Sequence, residues 1–400
     1  MMTYAQEGND SKHSDAYDYP VKPGTEAWKA LKTHDEMIQV SQVPEEILKK
    51  MSTSGLVETV LNYPLYRDRI AFNTIQQGFD AVAAHSNSLQ ALFNRQDAGR
   101  ELLIRYQSMD PTIIEKSWTS GQRTEHLGQF LDIEVLMAQP EILVELTNEE
   151  LYSLLTETVK KGKGKADTGE MFSIHSQART AWLAGRILQQ LDDVVIKQKA
   201  SENRDLQTFL NDGTFLAEAT LNEVYSRAQQ VLSDESKESE TWVYSSSDDC
   251  TPRTESSGYV YTPNGSPVQV SVRLYDYCED DKNFHMEWED DNFPNAIRLR
   301  DPSRKYNCYS YAWHDQSVNN NKDLQDYDVS KYWEDGSYTI EPYDFPYAKV
   351  MYENAGHAAI SLPSSALIHV SKWGWGSLMK HYLFYSPYAP TGYTYYKRSS

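Results

Sequence analysis

Between residues 233 and 258 the spacing of apolar residues changes, and that change limits what the chain can fold into. Upstream, apolar residues recur at helical intervals, as at Leu56, Val57, Val60 and Leu61, with Pro64 placed to end or kink the segment. Downstream, short runs such as Tyr259-Val-Tyr-Thr262 and Val268-Gln-Val-Ser-Val-Arg-Leu274 have the alternation and β-branched content of strands. The stretch between them is acidic and serine-rich, the composition of a linker. One helical sheet-free region followed by one strand-bearing region is the arrangement this pattern allows.

Residues 1–24 are polar with few large aliphatics and are expected to form a disordered tail. Residues 25–232 are expected to form an all-α region. Thr147 and Glu150 make a capping-box pattern ahead of Leu151, Leu154 and Leu155. Asp110-Pro111 offers an N-cap followed by proline, and Asp97 is placed to cap the segment bearing Leu102, Leu103 and Tyr106. Further helices are expected near 173–199, 202–211 and 219–232, with the basic run Lys160 to Lys165 as a solvated turn and His85 and His175 as ordinary helix residues.

After the 233–258 linker, residues 259–400 are expected to form an α+β domain of a helix and antiparallel strands. Asn264-Gly265 marks a tight hairpin turn. Residues 279–292 are expected to be an acidic loop, a short helix to start at Cys308, and strands to follow near 347–352, 357–362, 366–371 and 381–385. The fold class is thus multidomain, all-α followed by α+β.

The net charge of −20 argues against nucleic acid or anionic lipid as partner, because both require a basic face. No apolar run reaches the length of a membrane span. Residues 1–8 lack the charged start and apolar stretch of a secretion signal, so the protein is expected to be cytoplasmic, or extracellular or cell-wall associated if a leader has been removed. There are three cysteines, so Cys250 and Cys278 can pair and leave Cys308 as a thiol, or all three can be reduced.

The chemistry-bearing residues lie in order in the last third. Cys308 stands in Asn307-Cys-Tyr-Ser-Tyr-Ala-Trp313, His357 in Gly356-His-Ala-Ala-Ile-Ser361, and His369 in Leu367-Ile-His-Val-Ser371. A thiol at a helix start and beside an imidazole is stabilised as thiolate, which makes it a nucleophile near neutral pH. The gaps are 357 − 308 = 49 and 369 − 357 = 12 residues. A turn between two neighbouring strands would bring His369 against His357, where it could fix the ring's tautomer. His381, a further twelve residues on, is the rival for that third position. Ser371-Lys-Trp-Gly-Trp-Gly-Ser377 has the composition of an aromatic groove, with Trp313, Trp373 and Trp375 as candidate lining and Lys372 as a candidate carboxylate ligand.

In order and spacing, residues 259–400 resemble the NlpC-type cell-wall hydrolases, which are papain-like cysteine peptidases and amidases. The resemblance implies Cys308 as nucleophile, His357 as general base and His369 as the orienting residue, no cofactor, and a peptide or peptidoglycan-like substrate. The chain departs from the family at the nucleophile, where Asn307-Cys308-Tyr309-Ser310 replaces Asp-Cys-Ser-Gly, and so is more similar to a divergent subgroup from Gram-positive bacteria. Hydrolysis of an amide is the leading expectation. The alternatives are an inactive binding protein on the same fold and an acyltransferase with the same triad. A zinc site is disfavoured because no His-Glu-x-x-His or Cys-x-x-Cys pattern occurs, and the acidic stretches 279–281 and 289–291 lack the spacing of a calcium loop.

Overall fold

The computed structural model describes residues 15–168, 171–214, 218–236, 256–324, 326–363 and 367–399. Helices dominate up to Ser236 and strands dominate after Ser256, so the α and α+β pattern is present. The residues assigned to the linker lie mostly outside the described residues, from 237 to 255.

Local signals account for many helix boundaries. Thr147 and Glu150 form the reciprocal capping box of helix Asn148–Asp167. Helix Thr53–Leu61 ends before Pro64, and helix Ala98–Gln107 starts after Asp97, although the Asp97 carboxylate accepts from Thr53 Oγ1 at 2.7 Å rather than capping its own helix. Residues 111–112 form a turn, and the next helix, Ser120–Met137, is capped by Thr119 and Gln122 instead. The segment expected as one helix over 173–199 is two, Ile174–Gln190 and Val194–Glu202, broken where Asp192 takes a left-handed φ of 60°.

Three expectations are corrected by packing. The basic run Lys160 to Lys165 lies inside a helix, and Lys165 is buried, donating to Glu134 Oε1 at 2.7 Å and Thr180 Oγ1 at 2.9 Å. Gly162 permits this, since a Cβ there would sit 2.7 Å from the Tyr225 hydroxyl oxygen. Part of the N-terminal tail is packed: Tyr19 is buried, and Asp15 accepts from the backbone N–H of Ser52 at 2.7 Å. The acidic stretch 279–292 is a helix, Glu279–Asn292, with Glu279, Asp280 and Asp281 in its first turn, where the helix dipole favours them. Its Phe284 and Trp288 enter the core, and its carboxylates are engaged: Asp281 accepts from Ser173 Oγ at 2.9 Å and Glu289 from Ser377 N at 2.7 Å.

The strands are β1 Ser256–Tyr261, β2 Pro267–Val272, β3 Ile297–Arg300, β4 Lys322–Leu324, β5 Tyr338–Glu341, β6 Lys349–Tyr352, β7 His357–Ser361, β8 Ile368–Lys372, β9 Leu378–Tyr382 and β10 Tyr393–Arg398. They form a three-stranded sheet, β1-β2-β4, and a seven-stranded sheet, β3-β9-β8-β7-β6-β10-β5. The β1–β2 hairpin turns through Gly265 at φ 91°, as the Asn-Gly pair predicts.

The larger sheet is a middle layer. One face carries Val350, Ala359, Trp373 and Met379, which share a hydrophobic cluster with helical residues such as Leu56, Leu136 and Trp182. The other face carries Ala358, Ile360, Val370 and Leu378, which pack with Cys308, Trp313 and the small sheet's Val268 and Leu324. β7 is therefore buried on both faces, along all five of its residues. Small side chains at Ala358 and Ala359 suit a strand pressed from both sides. The apolar core is continuous from the helical region into the sheet.

Candidate functional site

Asn307 sets the position of the thiol. Its side-chain oxygen accepts the backbone N–H of Ser310 at 3.0 Å, while its Nδ2 donates to the Leu324 carbonyl at 2.7 Å. The helical turn thus starts at Cys308, as the sequence predicts, and continues as a π-helix over Ser310–His314. Cys308 is a buried thiol, 1% exposed, and Cys278 is disulfide-bonded; Cys250 lies outside the described residues.

The groups around Sγ come from distant parts of the chain. Asn73, in the loop before helix Ile75–Ala83, places Nδ2 3.8 Å from Sγ and 3.4 Å from the Gly356 carbonyl oxygen. That carbonyl lies 4.0 Å from Sγ. Gly356 is left-handed at φ 58°, and a Cβ there would overlap Gln77 Nε2, so only glycine brings this turn so close to the helical region. No spacing pattern in the sequence marks Asn73.

His357 follows Gly356 directly, but its ring does not meet the thiol. Alternation along β7 gives His357 the face of Ala359, toward the helical region, whereas Ala358 and Ile360 face the Cys308 turn. The ring stacks on Tyr388 with centroids 3.6 Å apart and meets Tyr352 edge-on at 4.9 Å. Among the described residues neither ring nitrogen has a hydrogen-bond partner. Burial, helped by the neighbouring His381 and His369, holds His357 well below the ordinary imidazole range, so the ring is neutral.

His369 does not orient His357. On β8 it stands opposite Ser361, four residues along β7 from His357 (361 − 357 = 4), too far for a hydrogen bond at about 3.3 Å per residue. Its Nδ1 pairs with the Tyr352 hydroxyl at 2.7 Å, and its Nε2 lies 3.9 Å from Asp344 Oδ2. His381 faces His369 across β9, with Nε2 2.9 Å from Ser371 Oγ and Nδ1 3.0 Å from the Tyr382 carbonyl. Burial pulls His381 down to about 3. The three histidines share one face of the sheet: Tyr352 lies between His357 and His369, and His369 meets His381 edge-on with ring centroids 6.3 Å apart.

The groove residues divide. Trp313 is buried among Tyr332, Trp333, Tyr338 and Tyr396, and Trp373 among Trp288, Phe293 and His381, so both are core. Lys372 is inaccessible and donates to the carbonyls of Ser303 at 2.8 Å, Gly374 at 3.2 Å and Gly376, leaving no donor for a substrate carboxylate. Trp375 lines a cavity. It stacks under Arg304 and Arg273, at 4.6 and 5.4 Å from its ring, and Arg273 is paired with Asp323. The cavity, of about 470 Å³, is lined by Asn73, Asn307, Trp375, Arg273, Asp323 and Tyr327 among others, so it opens beside the two asparagines that flank the thiol. A second cavity, of about 520 Å³, shares Thr74 with the first and is lined by Ile38, Leu65, Phe72, Val82, Pro387 and Asp80 among others.

Among the described residues no group of three or more His, Cys, Asp or Glu side chains is arranged to hold a metal ion, and no helix is long and apolar enough to cross a membrane. Comparison of the chain with protein-family models, with curated proteins and with solved structures finds no match.

Proposed function

We propose that the protein is a thiol-dependent amide hydrolase acting on peptide-like substrates, with Cys308 as nucleophile. The observation that carries this reading is the setting of Sγ: a buried thiol on the first residue of a helical turn, 3.8 Å from the side-chain amide of Asn73, which with Asn307 lines a cavity large enough for a small ligand. As Sγ bonds to the substrate carbonyl carbon, its proton passes to His357. The backbone N–H of Cys308 and the Asn73 amide hold the resulting oxyanion. The C–N bond then breaks as His357 returns the proton to the leaving amine. Water attacks the thioester carbon, the C–S bond breaks, and the proton returns to sulfur. Because the ring stands on the Tyr388 face of the sheet, the base step requires the start of β7, where His357 pairs with Tyr352 beside left-handed Gly356, to rearrange and carry the ring to Sγ. A cell-wall peptide as substrate follows from the resemblance of residues 259–400 to NlpC-type enzymes. A disulfide at Cys278 suits an oxidising compartment such as the cell exterior.

A second reading, an inactive binding protein, is favoured by one observation: the His357 ring lies on the sheet face opposite the Cys308 turn. Iodoacetamide alkylation of the native protein, followed by peptide mass spectrometry across pH, separates the two. The hydrolase reading expects Cys308 to be alkylated at pH 6–7 and His357→Ala to suppress that reaction. Alkylation only above pH 8, unchanged in His357→Ala, refutes it and leaves the binding reading.

A further inference from the structure

The two cavities share two lining residues, Thr74 and Asp212; Cys308 itself is buried and lines neither, but its neighbours Asn73 and Asn307 line one and Ala355, beside Gly356, lines the other. Their characters differ. The first is mainly apolar, with Ile38, Leu65, Phe72, Val82 and Pro387 among its walls, although Asp68, Asp80 and Asp212 also line it, and it reaches Ala355, next to the glycine whose carbonyl touches Sγ. The second has charged walls of both signs, with Arg204, Asp205 and the Arg273–Asp323 pair, beside Asn73 and Asn307. Phe72 belongs to the apolar cavity, Asn73 to the polar one and Thr74 to both, so the chain passes from one to the other in three residues. Asn73, the middle residue, is the one that approaches the thiol. Each volume falls within the roughly 300–1,000 Å³ typical of small-molecule sites.

We propose that the two cavities are the two arms of one binding site, and that its ligand is an amphipathic amide with an apolar acyl or side-chain group in the Phe72 arm and a peptide-like group carrying both charges in the Trp375 arm. This identifies the substrate class of the hydrolase reading and rests on it for the placement of the reacting amide between the arms. Desolvation of an alkyl group against the apolar walls supplies affinity. The polar arm supplies specificity, since a ligand lacking its charges leaves Arg204 and Asp205 without new partners.

The test uses the full chain and three probes: octanoylamide, N-acetyl lysyl-aspartate, and N-octanoyl lysyl-aspartate, which joins the two. Binding is read by calorimetry on the native protein and on Ala81→Trp, which fills the apolar arm, and Thr208→Trp, which fills the polar one. The joined probe is expected to bind at least about tenfold more tightly than either half. Each tryptophan variant, if its thermal unfolding matches the parent's, should erase that gain. If one variant is unstable, Ala84→Trp or Asp205→Trp in the same arm replaces it. A joined probe no tighter than octanoylamide, or affinity untouched by the cavity-filling variants, overturns the proposal. The joined probe is also measured against Cys308→Ala. Retained binding there, together with an inert thiol in the alkylation experiment, would sink the hydrolase reading while leaving the two-armed site standing.

Discussion

Replacing Lys372 by methionine tests whether this lysine is structural. Its ammonium is wholly buried on β8 and donates to three carbonyls in the turns around Ser303 and Gly374. Burial pulls it down from 10.5 to about 7, against the opposing pull of Asp276, Glu289 and Asp323. Methionine keeps the length, removes the cost of burying a charge and removes the hydrogen bonds. Three bonds at about 1 kcal/mol each nearly offset the burial cost near pH 7, so the variant should lose little there. The sign at higher pH is fixed by linkage. Between about 7 and 10.5 the unfolded chain still holds a proton that the folded chain has released, so this lysine's penalty fades and stability rises with pH. From pH 7 to pH 9 that rise is about 2 kcal/mol, and the methionine variant lacks it. Urea unfolding followed by tryptophan fluorescence at the two pH values measures the difference between parent and variant, which cancels every other titrating group. A difference that stays constant with pH refutes the reasoning, and is what an accessible lysine with an ordinary pKa, free to bind a carboxylate, would produce.

The remaining predictions concern packing and the thiol. Lys165→Met strands the inaccessible Glu134 carboxylate and should cost about 3–5 kcal/mol in urea unfolding, whereas the double change Lys165→Met with Glu134→Leu should recover much of it. Gly356→Ala forces a side chain into a left-handed turn against Gln77 and should cost about 1–3 kcal/mol; pairing it with Gln77→Ser should return part of the loss, read by thermal unfolding. If Cys308 is catalytic, Asn73→Ala should lower kcat by about 100- to 1,000-fold with KM little changed, because its donor acts on the oxyanion rather than on bound substrate. An equal loss from Asn73→Ala in kcat and in substrate affinity would instead assign Asn73 to binding.

What the sequence determined by itself was local. The Thr147–Glu150 box, the Asn264-Gly265 hairpin and the helical start at Cys308 each depend on residues within a few positions, whose hydrogen bonds form wherever the rest of the chain goes. Strands β6 to β9 were legible to within a few residues because turn-forming residues separate short apolar runs. The acidic helix Glu279–Asn292 was hidden because its charges masked Phe284 and Trp288, and only partners such as Ser173 and Ser377 make its carboxylates compatible with burial. The site itself was decided by tertiary structure. Register placed His369 opposite Ser361 instead of beside His357, and the cover on both sheet faces placed the His357 ring and the Cys308 turn on opposite sides. Asn73 meets the thiol across 235 residues of chain, a contact that no spacing encodes because it exists only once the helical region has closed over the sheet.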